Sequence, residues 1–144
     1  PKAFTFSKPK ISGLNFSFSG LKTGILYFVQ KNTEENPNFI TEHLADICAS
    51  VQHTIVEILM SKLKKAVKET GIKQVAIGGG VSANSGIRNA LTALGQQYGW
   101  QTFVPKFQYC TDNAAMIGIV GYHKFLEGNF VAQEVTAQAR LSFN

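Results

Sequence analysis

Apolar positions fall at helical spacing over much of this chain. Ile40, Leu44, Ile47, Val51, Ile55, Ile58 or Leu59, Leu63 and Val67 form one stripe over residues 40 to 68, the pattern of a long helix with one face on a core. Gly71 stands where a C-terminal glycine belongs. The stripe predicts scaffold, as one helix or two. Leu21, Gly24, Ile25 and Phe28 repeat the spacing, with Ser19 as the cap. Leu14 to Phe18 alternates apolar and polar, which predicts a half-buried strand. Residues 1 to 13 read as irregular around Pro9 and Gly13, and Asn32 to Asn38 as a polar turn around Pro37.

The second half changes rhythm. Val75 to Ile77 is a short apolar run, so a buried strand is expected there. Gly78, Gly79 and Gly80 follow, and Ser82 is placed to cap a helix carrying Ile87, Leu91 and Leu94 and ending near Tyr98-Gly99. Gln101 to Val104 predicts another short buried strand, closed by Pro105. Thr111 is placed to cap a helix to Leu126 with Gly128 beyond it, and Ala114, Ala115, Gly118 and Gly121 give that helix a small-residue face for close packing. Val135 to Ala139 reads as loop or short strand. Strand, helix, strand, helix over 74 to 126 is the alternation of an α/β layer with parallel strands. Two or three strands are few for a sheet, so part of it is expected to be missing or supplied by a partner.

Composition narrows the class. With 144 residues, 44% hydrophobic and 16% charged, the chain is expected to fold as one globular domain, residues 1 to 144. No apolar run is long enough for a membrane span, no signal peptide opens the chain, and the missing initiator Met suggests a fragment or processed product. Cys48 and Cys110 match no metal spacing and read as reduced thiols of a cytoplasmic protein. The net charge is +5, with one lysine group before Glu34 and a second at Lys62, Lys64, Lys65, Lys68 and Lys73. Such groups suit a polyanion such as RNA, or form a solvated helix face and a mobile arm.

The chemistry concentrates in the glycine turn. A strand, three glycines and a helix start gather bare peptide N–H groups and the positive end of a helix dipole, which suits an anion or a nucleotide. A tight turn without a ligand fits the glycines equally well. Ligands of α/β sheets sit beyond the carboxyl ends of the strands, so the loop after Val104 opens on the same edge and Asp112 is expected near the glycines. Its carboxylate could bind a divalent cation or a ribose hydroxyl, or simply favour a helix start. Asn84 and Asn113 are the amides of that edge, and Lys22 could steer phosphate or be an ordinary surface lysine. His43, His53 and His123 show no metal spacing. Gly80-Val81-Ser82-Ala83-Asn84 lacks the second glycine of a nucleophile elbow, and no Gly-Lys-Ser or Gly-Lys-Thr makes a phosphate-binding loop.

Three blocks occur in order: Asn15-Phe16-Ser17-Phe18-Ser19-Gly20-Leu21-Lys22-Thr23, Gly78-Gly79-Gly80-Val81-Ser82-Ala83-Asn84, and Cys110-Thr111-Asp112-Asn113-Ala114-Ala115-Met116-Ile117. Together they resemble the tRNA adenosine threonylcarbamoyltransferase family, formerly labelled O-sialoglycoprotein endopeptidase, over the C-terminal part of its proteins. The resemblance implies the C-terminal lobe of an actin-like ATPase fold, with a partial sheet and long helices. It implies transfer of a threonylcarbamoyl group from its adenylate to N6 of adenosine 37 in tRNAs reading codons that begin with A. By the same resemblance Asn84, Gly79 and Gly80 line the adenylate pocket, and Asp112 is the ligand that this lobe offers to one divalent metal, iron or zinc. The implied partners are tRNA, a related pseudo-enzyme subunit and a small ATPase. The family's paired histidines are absent from this chain. The chain alone is therefore expected to hold little metal, to lack transferase activity and to self-associate through uncovered apolar surface. The alternative is a non-catalytic actin-like lobe that docks partner proteins or tRNA.

Overall fold

The computed structural model of the chain describes residues 3–9 and 11–136. It divides into two compact units, residues 1–110 and 111–144. The first unit is mixed α/β, with four elements around one long helix. Helix α1 is Ser19–Glu35, α2 is Phe39–Thr70, β1 is Gln74–Ala76, α3 is Ser85–Tyr98 and β2 is Gln101–Phe103. The second unit contains helix α4, Ala114–Leu126.

Helix α2 is unbroken over 32 residues, about 48 Å at 1.5 Å per residue. Asn36 sets up its start: the Asn36 side-chain oxygen accepts from the Asn38 N–H at 3.0 Å, and its amide donates to Glu42 in the first turn at 2.8 Å. Gly71 ends the helix at φ 72°, donating its N–H to Val67 O at 2.9 Å. That left-handed position favours glycine.

The single stripe read from the sequence is in fact two buried faces. Ile58 joins Phe6 and Leu21, with Ile25, Phe28, Val51 and Ile55 packed around them. Met60, two residues on, joins Val75, Ile87 and Leu91, with Leu59, Leu63, Val67 and Trp100 around them. Ile40 and Leu44, at the start of the expected stripe, are exposed. The buried polar residues of α2 are satisfied locally: Thr54 Oγ1 donates to Ser50 O at 2.9 Å, and Ser50 Oγ accepts from Phe4 N–H at 3.1 Å.

Several expectations need correction. Phe4 and Phe6 do not belong to a mobile arm. Phe6 is buried, and Phe4 packs against Phe28 and Phe39 with ring centroids 5.0 and 5.8 Å apart. Leu14 to Phe18 is irregular rather than a strand. A strand needs a ladder partner, and the two strands among the described residues pair only with each other. Phe16 and Phe18 instead stack on one another at 6.3 Å. Ser19 is the first helical residue of α1; Phe18 holds the cap position, with no side-chain cap bond. The helix also runs on to Glu35, which leaves only Asn36, Pro37 and Asn38 for the polar turn.

Strands β1 and β2 are parallel, with Val75 opposite Thr102. The ladder is extended by Gln101 N–H to Lys73 O at 3.0 Å and Ile77 N–H to Phe103 O at 3.1 Å. Helix α3 packs closely on this pair. A Cβ on Gly95 would lie 2.7 Å from Thr102 Cγ2, so the close approach requires glycine. β2 is not the buried strand expected: Phe103 is 49% exposed, because a two-stranded layer with α3 on one side leaves side chains of the other side uncovered. Of Val135 to Ala139, residues 135 and 136 are irregular and the rest lie outside the described residues. Among the described residues no helix is long and apolar enough to cross a membrane.

Candidate functional site

The glycine turn leaves the carboxyl end of β1. Gly79 sits at φ 77° and ψ 172°, a backbone state open to glycine alone among common residues. Gly80–Ala83 then form one 3-10 turn. Ser82 does not cap α3. Its buried hydroxyl donates back to Gly79 O at 2.7 Å, and its N–H donates to the same oxygen at 2.9 Å, which locks the turn. Nothing stands within 4 Å of where a Cβ would be on Gly78, Gly79 or Gly80. The backbone there is open to a close-approaching molecule.

The cap is Asn84. Its side-chain oxygen accepts from Ile87 N–H at 3.1 Å, and its amide donates to Gln52 Oε1 of α2 at 3.2 Å. Serine was the expected cap because it is a good one, but the 3-10 turn moves the start of α3 two residues on. Asn84, the expected adenylate ligand, therefore also holds a structural post.

Arg88 belongs to none of the sequence motifs, yet it organises this rim. One guanidinium nitrogen donates to Ser82 O at 3.0 Å and the other to Pro105 O at 2.6 Å. The first also lies 3.7 Å from Cys110 Sγ, and the guanidinium carbon sits 4.3 Å from the Phe107 ring centroid. One side chain thus ties the glycine turn to the loop that follows β2. A lone arginine beside Ile87 on an otherwise uncharged α3 was the available clue. Two hollows adjoin the tie. One of about 180 Å3 lies under the turn between Leu59, Gly78, Val81 and Ile87; a shallower one of about 420 Å3 follows the strand ends at Ile77, Phe103 and Pro105.

Gly79, Gly80 and Asn84 share that one loop of the first unit. Asp112 belongs to the second unit, where it is exposed and lies two residues ahead of α4. The cap of α4 is Asn113, not Thr111: Asn113 Oδ1 accepts from Met116 N–H at 3.2 Å, and its amide donates to Thr111 O at 2.9 Å. No residue of α4 is buried, and the space beside Gly118 and Gly121 is open. His43 packs edge-on to Phe4, and His53 Nε2 stands 3.1 Å from Glu57 Oε2. Both cysteines are free, Cys48 exposed and Cys110 buried. Among the described residues no three His, Cys, Asp or Glu side chains gather as a metal site.

A parallel βαβ unit with an open glycine turn at the carboxyl rim is an arrangement in which α/β proteins can hold anionic ligands. The family model described as TsaD, tRNA N6-adenosine threonylcarbamoyltransferase, matches residues 1–119. The chain belongs to this family. It is 66% identical over 143 residues to the protein of that name from Christiangramia forsetii and 53% identical over 144 residues to that from Riemerella anatipestifer. The match to the one from Salinibacter ruber is 39% over 130 residues. These alignments take in 99%, 100% and 90% of this chain. The chain spans 42% of the length of the first two relatives and 39% of the third.

Proposed function

We propose that this chain is the nucleotide-facing, actin-like lobe of a cytoplasmic tRNA threonylcarbamoyltransferase. In that reaction N6 of the target adenosine attacks the carbamoyl carbonyl carbon of threonylcarbamoyl-adenylate. The bond from that carbon to the phosphate oxygen breaks, AMP leaves, and the amine loses a proton. The observation that carries the reading is the turn at Gly79 and Gly80, open on its outer side and fixed by Ser82 and Arg88. It supplies a rigid backbone surface against which the adenylate rests, with Asn84 at its end. Rigid placement of the reactants, rather than an acid or base on this chain, is the contribution assigned to these residues. Asp112 contributes one carboxylate to a divalent-metal site whose other ligands, like the partner subunits, lie outside this chain.

The test joins this chain to the Christiangramia forsetii transferase, in place of the segment it matches. The chimera should modify unmodified tRNA when given threonylcarbamoyl-adenylate, and Asp112→Ala should abolish this. Asn84→Asp keeps the capping oxygen and removes the amide donor, so it should stay folded while losing most activity. A soluble, cooperatively melting chimera without activity, or full activity in both variants, refutes the reading. So does turnover by the 144-residue chain alone.

A further inference from the structure

The second lysine group divides cleanly in the structure. Lys62 Nζ donates to Ile11 O at 2.7 Å and to Gly13 O at 2.8 Å. Lys65 pairs with Glu69 at 3.5 Å and reaches Gly13 O at 3.4 Å. Those two fasten the segment before α1. Lys64, Lys68 and Lys73 form no ion pair among the described residues. All three are exposed and line one open cleft of about 460 Å3 together with Val67, Tyr98 and Trp100. Lys64 and Lys68 are one turn apart on α2, a like-charge arrangement that weakens a helix.

The aromatic wall is firmly built. Tyr98 and Trp100 stack with centroids 5.4 Å apart and planes 23° apart. Trp100 N–H donates to Gly95 O at 2.9 Å, and Trp100 packs against the Met60, Val75, Ile87 and Leu91 cluster. Lys73 and Trp100 immediately precede β1 and β2, so the cleft opens at the amino ends of the strands, opposite the glycine turn. It is separate from the proposed adenylate rim.

A fixed aromatic wall with three unpaired cations is the chemistry that takes a nucleic-acid strand, bases on the rings and phosphates on the ammonium groups. We infer that this cleft is a second RNA contact, stacking an unpaired base on the Tyr98–Trp100 wall and holding the flanking phosphates with Lys64, Lys68 and Lys73. The choice of RNA over another polyanion rests on the tRNA-modifying reading above.

Trp100 is the only tryptophan in the chain, so its emission reports the cleft directly. The 144-residue chain is titrated with a twelve-nucleotide single-stranded RNA and with unmodified tRNA. Saturable quenching is expected, with a log–log salt slope of about −2 for three phosphate contacts. Lys68→Ala and Lys73→Ala should each flatten the slope by about 0.7 and weaken binding severalfold. Lys68→Glu/Lys73→Glu, both at exposed positions, should abolish quenching while melting like the parent. Trp100→Ala should lower affinity for labelled RNA about five- to a hundredfold; Trp100→Phe, which keeps a ring in the core, should lose less. Unchanged Trp100 emission, lysine variants that bind like the parent, or a polyglutamate peptide that quenches where RNA does not, each overturns the inference. An active chimera beside a chain with no lysine-dependent RNA binding overturns this inference alone. Lysine-dependent binding beside a folded, inactive chimera overturns only the transferase reading.

Discussion

Replacing Arg88 with alanine should loosen the rim more than any other single surface-reaching change. The substitution removes two hydrogen bonds from a charged donor, to Ser82 O and Pro105 O, and the contact with Phe107. Hydrogen bonds to charged groups contribute about 1.5–3 kcal/mol each, and a cation over an exposed ring about 0.5–1 kcal/mol. Arg88 is half-buried and Phe107 64% exposed, so water can replace part of what is lost. We expect a net cost of about 2–4 kcal/mol. For a chain of this size that lowers Tm by on the order of 10 °C. Urea unfolding followed by Trp100 emission measures it, because Trp100 packs on the core of the same unit. Arg88→Lys keeps the charge but has no fork to span two carbonyls, so it should recover less than half the loss. A cost below about 1 kcal/mol for Arg88→Ala, or full recovery by lysine, refutes the tie between the two loops.

Asn84→Ala should cost about 1 kcal/mol through loss of the α3 cap, whereas Asn84→Ser should be nearly neutral; equal urea midpoints for the two would remove the capping role. Gly95→Ala should destabilise by about 1 kcal/mol, since forcing a methyl to 2.7 Å from Thr102 Cγ2 costs more than the roughly 1 kcal/mol of helix propensity it gains. In a Thr102→Ser background, where that methyl is gone, the same change should cost markedly less, and an unchanged cost in the double-mutant cycle would contradict the close approach. The exposed apolar side chains of Ile117, Val120, Tyr122, Phe125 and Leu126 on α4 should drive self-association. Sedimentation at rising concentration should show it, weakened by Ile117→Glu/Phe125→Glu; a monomer throughout would contradict it.

The helices were legible because their signals are local. The spacing from Ile47 to Val67 and the glycines at 71 and 99 mark α2 and α3 without reference to anything distant. Alternation at Leu14 to Phe18 misled because a strand exists only with a partner, and no period within five residues reports whether one is there. The caps slipped by two residues at both Ser82 and Thr111 for one reason. Serine and threonine suit the cap, but an asparagine two residues on, at Asn84 and Asn113, suits it at least as well and took it. Phe4 and Phe6 were hidden because a short irregular segment has no periodicity to betray its burial. Arg88 was easily passed over because its hydrogen-bonded oxygens are backbone carbonyls, which every residue carries. The glycine turn was visible as a place where backbone could be approached, and Gly79 at φ 77° gives that reading a geometric basis.

Ile58 and Met60 stand two residues apart on one helix, yet each anchors a different cluster. Melting either cluster therefore strips one side of the same rod and leaves the other side holding a half-wetted helix. The amides midway along α2, held from both sides, should then exchange with deuterium more slowly than those of α1 and the N-terminal segment, which open by exposing the Phe6 side alone. Damage to the Phe6, Leu21 and Ile58 cluster should in this way weaken the same helix against which Val75 of β1 packs.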